Sequence, residues 1–179
     1  MENKSPWPLA LKFGLILALS NIALTMLFYL INPDSADGKW SLMGIIQLLI
    51  AIIVSIYIML IAGKTRRDQE MDGIMSYGQS LGFMLITALP AALIISFFTY
   101  LFFTYINPEI FQKILDTQAE ELTKAGKSDE EIEMTLNMVR KFSNPLMMTV
   151  FGALGTMFQM LVYALIASIF VKKEPKTFE

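Results

Sequence analysis

The chain contains no cysteine and no histidine. Without thiols there are no disulfides, thiolate nucleophiles or iron–sulfur ligands. Without imidazole, histidine-based acid–base catalysis and most zinc sites are excluded. Charge is scarce as well: 17% of the residues are Asp, Glu, Lys or Arg, against roughly 25% in soluble domains. A net charge of −2 with no basic stripe carrying interleaved aromatics gives no footprint for nucleic acid. Asp, Glu, Ser and Lys remain as chemical groups, but no nucleophile is paired with a base. No catalytic residue, cofactor-binding residue or metal ligand is therefore assigned.

What the chain has instead is apolar length. Of its 179 residues, 55% are hydrophobic, and most fall into four runs. These are Leu9 to Ile31 with Lys12 near the start, Trp40 to Ala62, Leu81 to Ile106 with a beginning as early as Tyr77, and Leu146 to Val171. No run has a charged residue deep in its interior. A spanning helix needs about 20 apolar residues, and backbone groups in lipid must pair within the segment. A soluble amphipathic helix would need a polar face, and these runs offer only scattered Ser, Thr, Asn and Gln. The fold expected is an all-α, polytopic membrane protein in one domain over residues 1–179, with spans at about 9–31, 40–62, 78–106 and 145–171. Ala18-Leu19-Ser20 loosely fits a small-x-small cleavage site, but the apolar stretch runs past the ~7–15 residues of a signal h-region. A retained first helix is expected.

Boundary residues agree with the spans. Trp7, Trp40, Tyr100 and Tyr105 sit where aromatic rings favour the headgroup layer, and Lys12 can snorkel outward. Basic residues set the orientation. Gly63-Lys64-Thr65-Arg66-Arg67 and Lys172-Lys173 are short, dense, cationic flanks, whereas the cations between Asn107 and Asn144 are diluted by carboxylates. Short flanks weigh most in the positive-inside rule. Both termini are expected in the cytoplasm of a bacterial inner membrane, with Arg140 and Lys141 as the counter-evidence.

Residues 107–144 form the one sizeable polar segment, and the pattern predicts a helical hairpin on the outer face. Asn107-Pro108-Glu109 reads as a helix start, with Ile110, Ile114, Leu115 and Leu122 at helical spacing. Gly126 offers a C-cap, and Ser128-Asp129-Glu130-Glu131 a capping box. The second helix is expected through about Arg140, with Asn144-Pro145 launching the last span. Its acidic start, Asp129 to Glu133, is read as solvated, because the spacing matches no calcium loop. The hairpin could pack on itself, lie on the membrane or bind a partner.

Polar and small residues mark one face of several spans. Gly14, Ala18, Asn21 and Thr25 lie along the first. Gly44, Gln47, Ala51 and Ser55 lie along the second. Gly152, Thr156, Gln159 and Tyr163 lie along the fourth, with Gly155 beside them. Small residues allow close helix approach, and amides hydrogen-bond between helices. Pro90 falls in mid-span and is expected to kink the third helix. Asn21, Gln47, Pro90 and Gln159 are the candidate residues for helix packing or for lining a path. Phe28 to Asp34 also parallels Phe103 to Glu109, which fits either a duplicated helix pair or a common boundary signal.

The opening Trp7-Pro8-Leu9-Ala10-Leu11-Lys12-Phe13-Gly14-Leu15-Ile16, the segment Met75-Ser76-Tyr77-Gly78-Gln79-Ser80-Leu81-Gly82-Phe83, the stretch Tyr105-Ile106-Asn107-Pro108-Glu109 and the closing Lys172-Lys173 resemble a family of small bacterial membrane proteins, domain of unknown function 4199. The resemblance covers the whole chain. It implies a four-helix inner-membrane protein with a long acidic loop before the last helix, and it assigns no activity or functional residues.

Three functions fit these features. A non-enzymatic accessory, assembly or regulatory protein, acting through helix packing and the hairpin, ranks first. A small oligomeric transporter or channel without buried charges ranks second, because ion-coupled carriers usually need ionisable groups in the spans. A lipid-modifying enzyme ranks last. The partners expected are the lipid bilayer and a second copy or another membrane protein.

Overall fold

In a computed structural model the described residues are 5–31, 42–142 and 144–173. They form six helices: α1 Trp7–Ile31, α2 Leu42–Glu70, α3 Tyr77–Leu101, α4 Ile110–Lys124, α5 Asp129–Phe142 and α6 Pro145–Val171. A π-helical segment, Phe102–Ile106, extends α3. The described residues contain no strand. α1, α2, α3 with its π segment, and α6 are each long and apolar enough to cross a membrane. The start expected for the second span, at Trp40, lies outside the described residues, as do Asn32, Pro33 and Asp34.

The helix ends follow the local chemistry. α3 begins in a capping box: the Gln79 N–H donates to Ser76 Oγ at 3.3 Å, and the Ser76 N–H donates to Gln79 Oε1 at 2.9 Å. α6 begins at Asn144, whose Oδ1 accepts from the Met147 N–H at 3.0 Å, with Pro145 in the first turn. α4 ends on Gly126, at φ +72°. There the Lys127 and Gly126 amides bond back to the Leu122 and Thr123 carbonyls. The expected box at Ser128 opens α5, with Ser128 and Glu131 each accepting from the other's N–H.

One local expectation is corrected. Asn107 does not cap α4, whose cap position is Glu109 with no side-chain bond. Asn107 is buried, and its N–H closes the π turn onto the Phe102 carbonyl at 2.8 Å. α2 continues past the apolar run and through the cationic flank to Glu70. Arg66 on this extension pairs with Glu70 one turn on, and its guanidinium lies 5.9 Å from the Phe83 ring centroid.

The four long helices stand as a square. α1 packs on α2 and α3, and α6 packs on α2 and α3, leaving α1 and α6 at opposite corners. Each helix hairpin therefore lies beside the other with like next to like, α1 by α3 and α2 by α6. A two-fold axis along the membrane normal would exchange diagonal corners, and here those run in opposite directions. The arrangement lacks the rotational symmetry of parallel transporter repeats.

Packing is concentrated at the end of the bundle that carries both ends of the described chain, here the terminal end. Leu17, Ala18, Met59, Ala62, Met84, Ala91, Ala164, Ala167 and Val171 are sealed there. The closest approach is at Gly14, where a Cβ would sit 2.7 Å from Pro90 Cγ and 2.8 Å from the Thr87 carbonyl oxygen. Met75 and Lys173 exchange backbone bonds at 2.9 and 2.8 Å. The Arg67 guanidinium donates to the Val171 carbonyl at 3.0 Å, tying α2 to the end of α6. The opposite end, from which α4 and α5 project, is the hairpin end.

Candidate functional site: a polar cavity in the hairpin half of the bundle

All four long helices contribute to a cavity of about 410 Å³ that runs from mid-bundle towards the hairpin end. Its volume lies within the roughly 300–1,000 Å³ of small-molecule pockets. α1 supplies Asn21 and Thr25, α2 supplies Gln47 and Ser55, and α6 supplies Thr156, Gln159 and Tyr163. α3 and its π segment supply an apolar, aromatic wall that includes Phe98, Phe102 and Phe103.

The helical period explains why these residues meet. Gly44, Gln47, Ala51 and Ser55 recur every three to four residues, so one face of α2 carries all of them, and all four line the cavity. Asn21 with Thr25, and Thr156 with Gln159 and Tyr163, repeat the pattern on α1 and α6. The remainder of the expected stripes goes elsewhere. Gly14 and Ala18 are packed in the terminal half, and Gly152 faces open space. Of the four candidates, Asn21, Gln47 and Gln159 are thus brought together, while Pro90 is placed at the α1–α3 contact, outside the cavity lining.

Hydrogen bonding in the cavity is incomplete. The Asn21 amide donates to the Leu17 carbonyl at 2.9 Å and to Ser55 Oγ at 3.2 Å, which locks α1 to α2 at the cavity floor. The Gln159 amide donates to the Tyr163 hydroxyl. Thr99 donates to the Ile95 carbonyl at 2.8 Å, as hydroxyls in membrane helices usually do. Thr25, Gln47 and Thr156 make no side-chain hydrogen bond among the described residues. An unpaired polar group away from water costs free energy, so these three side chains offer recognition groups that the fold does not use. The lining has one titratable group, the Tyr163 phenol, and no carboxylate, ammonium or guanidinium.

The hairpin end of the cavity is walled by rings. Tyr29 of α1 meets Phe102 edge-on, with centroids 5.1 Å apart, and its hydroxyl reaches the Ile106 carbonyl at 3.5 Å. Phe103 contacts Phe111 of α4 at 5.6 Å. The π turn makes this possible by shifting the register of α3 just before Asn107. Sequence periodicity missed Phe102 and Phe103 as cavity residues, because a π segment breaks the 3.6-residue repeat on which such patterns rest.

A second cleft of about 290 Å³, lined by Leu85, Ile86, Ala88, Leu89, Ala92 and Met157, is apolar throughout and offers no side-chain hydrogen bond. A third, of about 370 Å³, lies at the terminal end beside Pro6, Arg66 and Gln79.

The fold and the cavity define a class: a four-span, all-α membrane protein with a hydrogen-bonding pocket in one half of its bundle and a helical hairpin at that same end. The chain matches the family described as protein of unknown function, DUF4199, over residues 12–173, and it belongs to that family. No curated protein and no solved structure matches it.

Proposed function

We propose that this protein is a non-enzymatic, ligand-binding protein of the bacterial cytoplasmic membrane, which takes a small uncharged molecule into the hairpin half of its bundle. The observation that carries this is the cavity with Thr25, Gln47 and Thr156 on its walls, their side chains without a hydrogen bond among the described residues. Amides and hydroxyls there can donate to and accept from a neutral polar group. A charged ligand would find no counter-ion. The hydroxyl of Ser55 faces the Asn21 amide, which cannot serve as a base, and this supports binding over hydrolysis.

The orientation that fits is termini in. Lys12, Lys64, Arg67, Lys172 and Lys173 gather at the terminal end, and the positive-inside rule puts that end in the cytoplasm. The cavity then belongs to the outer leaflet half, closed on its cytoplasmic side by the packed core. That is the geometry of an outward-open carrier or of a sensor.

The test uses the cysteine-free background. In sealed vesicles of known orientation, a membrane-impermeant maleimide is expected to label Ser128→Cys from outside and Thr65→Cys only after permeabilisation. The reverse pattern sinks the orientation. Purified protein is then warmed with a panel of neutral polyols, amides and glycerides. A binder present at 100-fold its Kd should add about 2.7 kcal/mol of stability, and Gln47→Leu should cut that gain by about 1 kcal/mol, the worth of one hydrogen bond. No shift across the panel, with a folded protein, would defeat the binding reading.

A second reading, association through the hairpin, is favoured by α5. Met134, Met138 and Phe142, one turn apart, are 66%, 62% and 51% exposed, while Ile132, Leu136 and Val139 are at least partly covered. Crosslinking in native membranes from Met134 and Met138 would give a discrete partner band if this stripe is a docking face. Labelling of lipid alone would remove that reading.

A further inference from the structure

We propose that the ligand is an uncharged amphiphile, and that it enters sideways from the lipid between the hairpin-end halves of α2 and α6. This rests on the binding reading above and names the class of ligand and its route.

The route follows from where the helices bury residues. The buried positions of α2 begin at Ser55 and continue to Arg66, and those of α6 begin at Met160 and continue to Val171. Nothing on either helix nearer the hairpin end is buried, although both helices contribute to the cavity there. α2 and α6 are zipped together in the terminal half and bury no residue in the other. Gly152 and Gly155 on α6 confirm the looseness: a Cβ built on either meets nothing within 4 Å. On the opposite side, Phe28 of α1 and Phe102 are buried and Tyr29 lies across them, so α1 and α3 are closed against each other where α2 and α6 are open.

The class follows from what lies behind that opening. The outer surfaces of α2 and α6 in this half are apolar, with Ile45, Leu49 and Phe158 among the exposed side chains. A molecule passing between them must be soluble in the hydrocarbon. Inside, Gln47 and Thr156 project from the two helices that border the opening, neither with a side-chain hydrogen bond among the described residues. A neutral head bearing hydroxyl, ester or amide groups satisfies both. An acyl or isoprenoid tail can remain in the opening, against the same surfaces that lipid already covers. A phosphate or carboxylate head would be desolvated with no positive charge to meet it.

The experiment uses the full chain in nanodiscs with a monoacylglycerol carrying a diazirine in its tail. Illumination is expected to label peptides of α2 and α6 near Gln47 and Thr156. Gln47→Leu and Thr156→Val should each reduce labelling on the order of fivefold, the effect of one lost hydrogen bond. Gly155→Leu, a residue added into open space, should block it by filling the opening without disturbing the packed half. Excess unlabelled monoacylglycerol should compete, and free glycerol should not.

Equal competition by glycerol would overturn the amphiphile class and the lateral route while leaving the pocket as a site for a water-borne solute. Labelling spread evenly over all lipid-facing helices and unaffected by Gln47→Leu would overturn the amphiphile and, with a negative stability panel, the pocket as well. A Gly152→Cys variant that oxidises to a disulfide-linked pair in the membrane would also overturn the route, because a second copy would then occupy the opening.

Discussion

In the terminal half of the bundle Gly14 brings α1 onto the ring of Pro90, and Gly63 lets α2 close over Met84 and Val171. In the hairpin half Gly152 and Gly155 touch nothing. The same residue type, on helices of similar composition, produces contact at one end and space at the other. What differs is the company. At the terminal end the glycines receive a proline ring, a methionine and a valine from neighbouring helices, and buried alanines and methionines on the long helices fill the space around them. At the hairpin end small residues face amides, hydroxyls and phenyl rings, which are too bulky and too polar to interlock. Small residues let helix backbones approach closely in lipid, and here a neighbouring helix takes up that offer over half the length of the spans.

The largest effect expected from breaking this contrast is at Gly14. An alanine Cβ would lie 2.7 Å from a proline ring atom and 2.8 Å from a backbone carbonyl, neither of which can swing aside. α1 and α3 must separate, at a cost of about 1–3 kcal/mol, read as easier unfolding in a denaturing-detergent titration. Gly63→Ala should cost less, about 1 kcal/mol, because the atoms it meets are the ends of the Met84 and Val171 side chains. If Gly14→Ala unfolds like the unaltered chain, the terminal half is not the close-packed one.

A smaller and more local effect concerns the hairpin. Glu131 is held below its ordinary value of 4.5, chiefly by the Ser128 backbone N–H and then by Lys127. A lowered folded-state pKa means that this contribution is complete above about pH 4.5 and disappears as the pH falls through the lowered value. Protection of the first-turn amides of α5, taken relative to their intrinsic exchange rate at each pH, should therefore fall on acidification below pH 4.5, with the spans unaffected. Glu131→Ala should remove the pH dependence. A hairpin whose first-turn protection ignores acid would show that the box does not hold it in solution.

Much of this was legible from residue order. Four apolar runs without interior charge can only be helices in lipid, and the caps at Ser128, Gly126 and Asn144 are written in neighbouring residues. Asn21, Gln47 and Gln159 were also findable, because a 3.6-residue repeat assigns polar residues to one face. That repeat does not say whether the face closes or gapes. Gly14 and Gly152 look alike in sequence, and only the partner helix distinguishes them. Asn107 was misread for a related reason. Its Asn-Pro-acid context has the chemistry of a cap, but its N–H is claimed by Phe102 five residues back, in a π turn that no short-range pattern announces.

The smallest effect, and the most pointed because its sign reverses, is expected at Gly152. Alanine there adds a methyl into open space and removes the backbone freedom that glycine has in an unfolded chain. Such changes stabilise helices by about 0.4–1 kcal/mol where no clash intervenes, so Gly152→Ala should unfold slightly later than the unaltered chain, while Gly14→Ala unfolds earlier. Both substitutions add one carbon to a glycine within a membrane span, so helix propensity is matched and only the surroundings differ. A loss of stability at Gly152 comparable with that at Gly14 would mean that something packs on the open face of α6 in the membrane. Measuring the pair at several protein-to-lipid ratios then separates the cases. A cost that grows as the protein is concentrated points to a second copy, and one that does not points to a bound lipid or ligand.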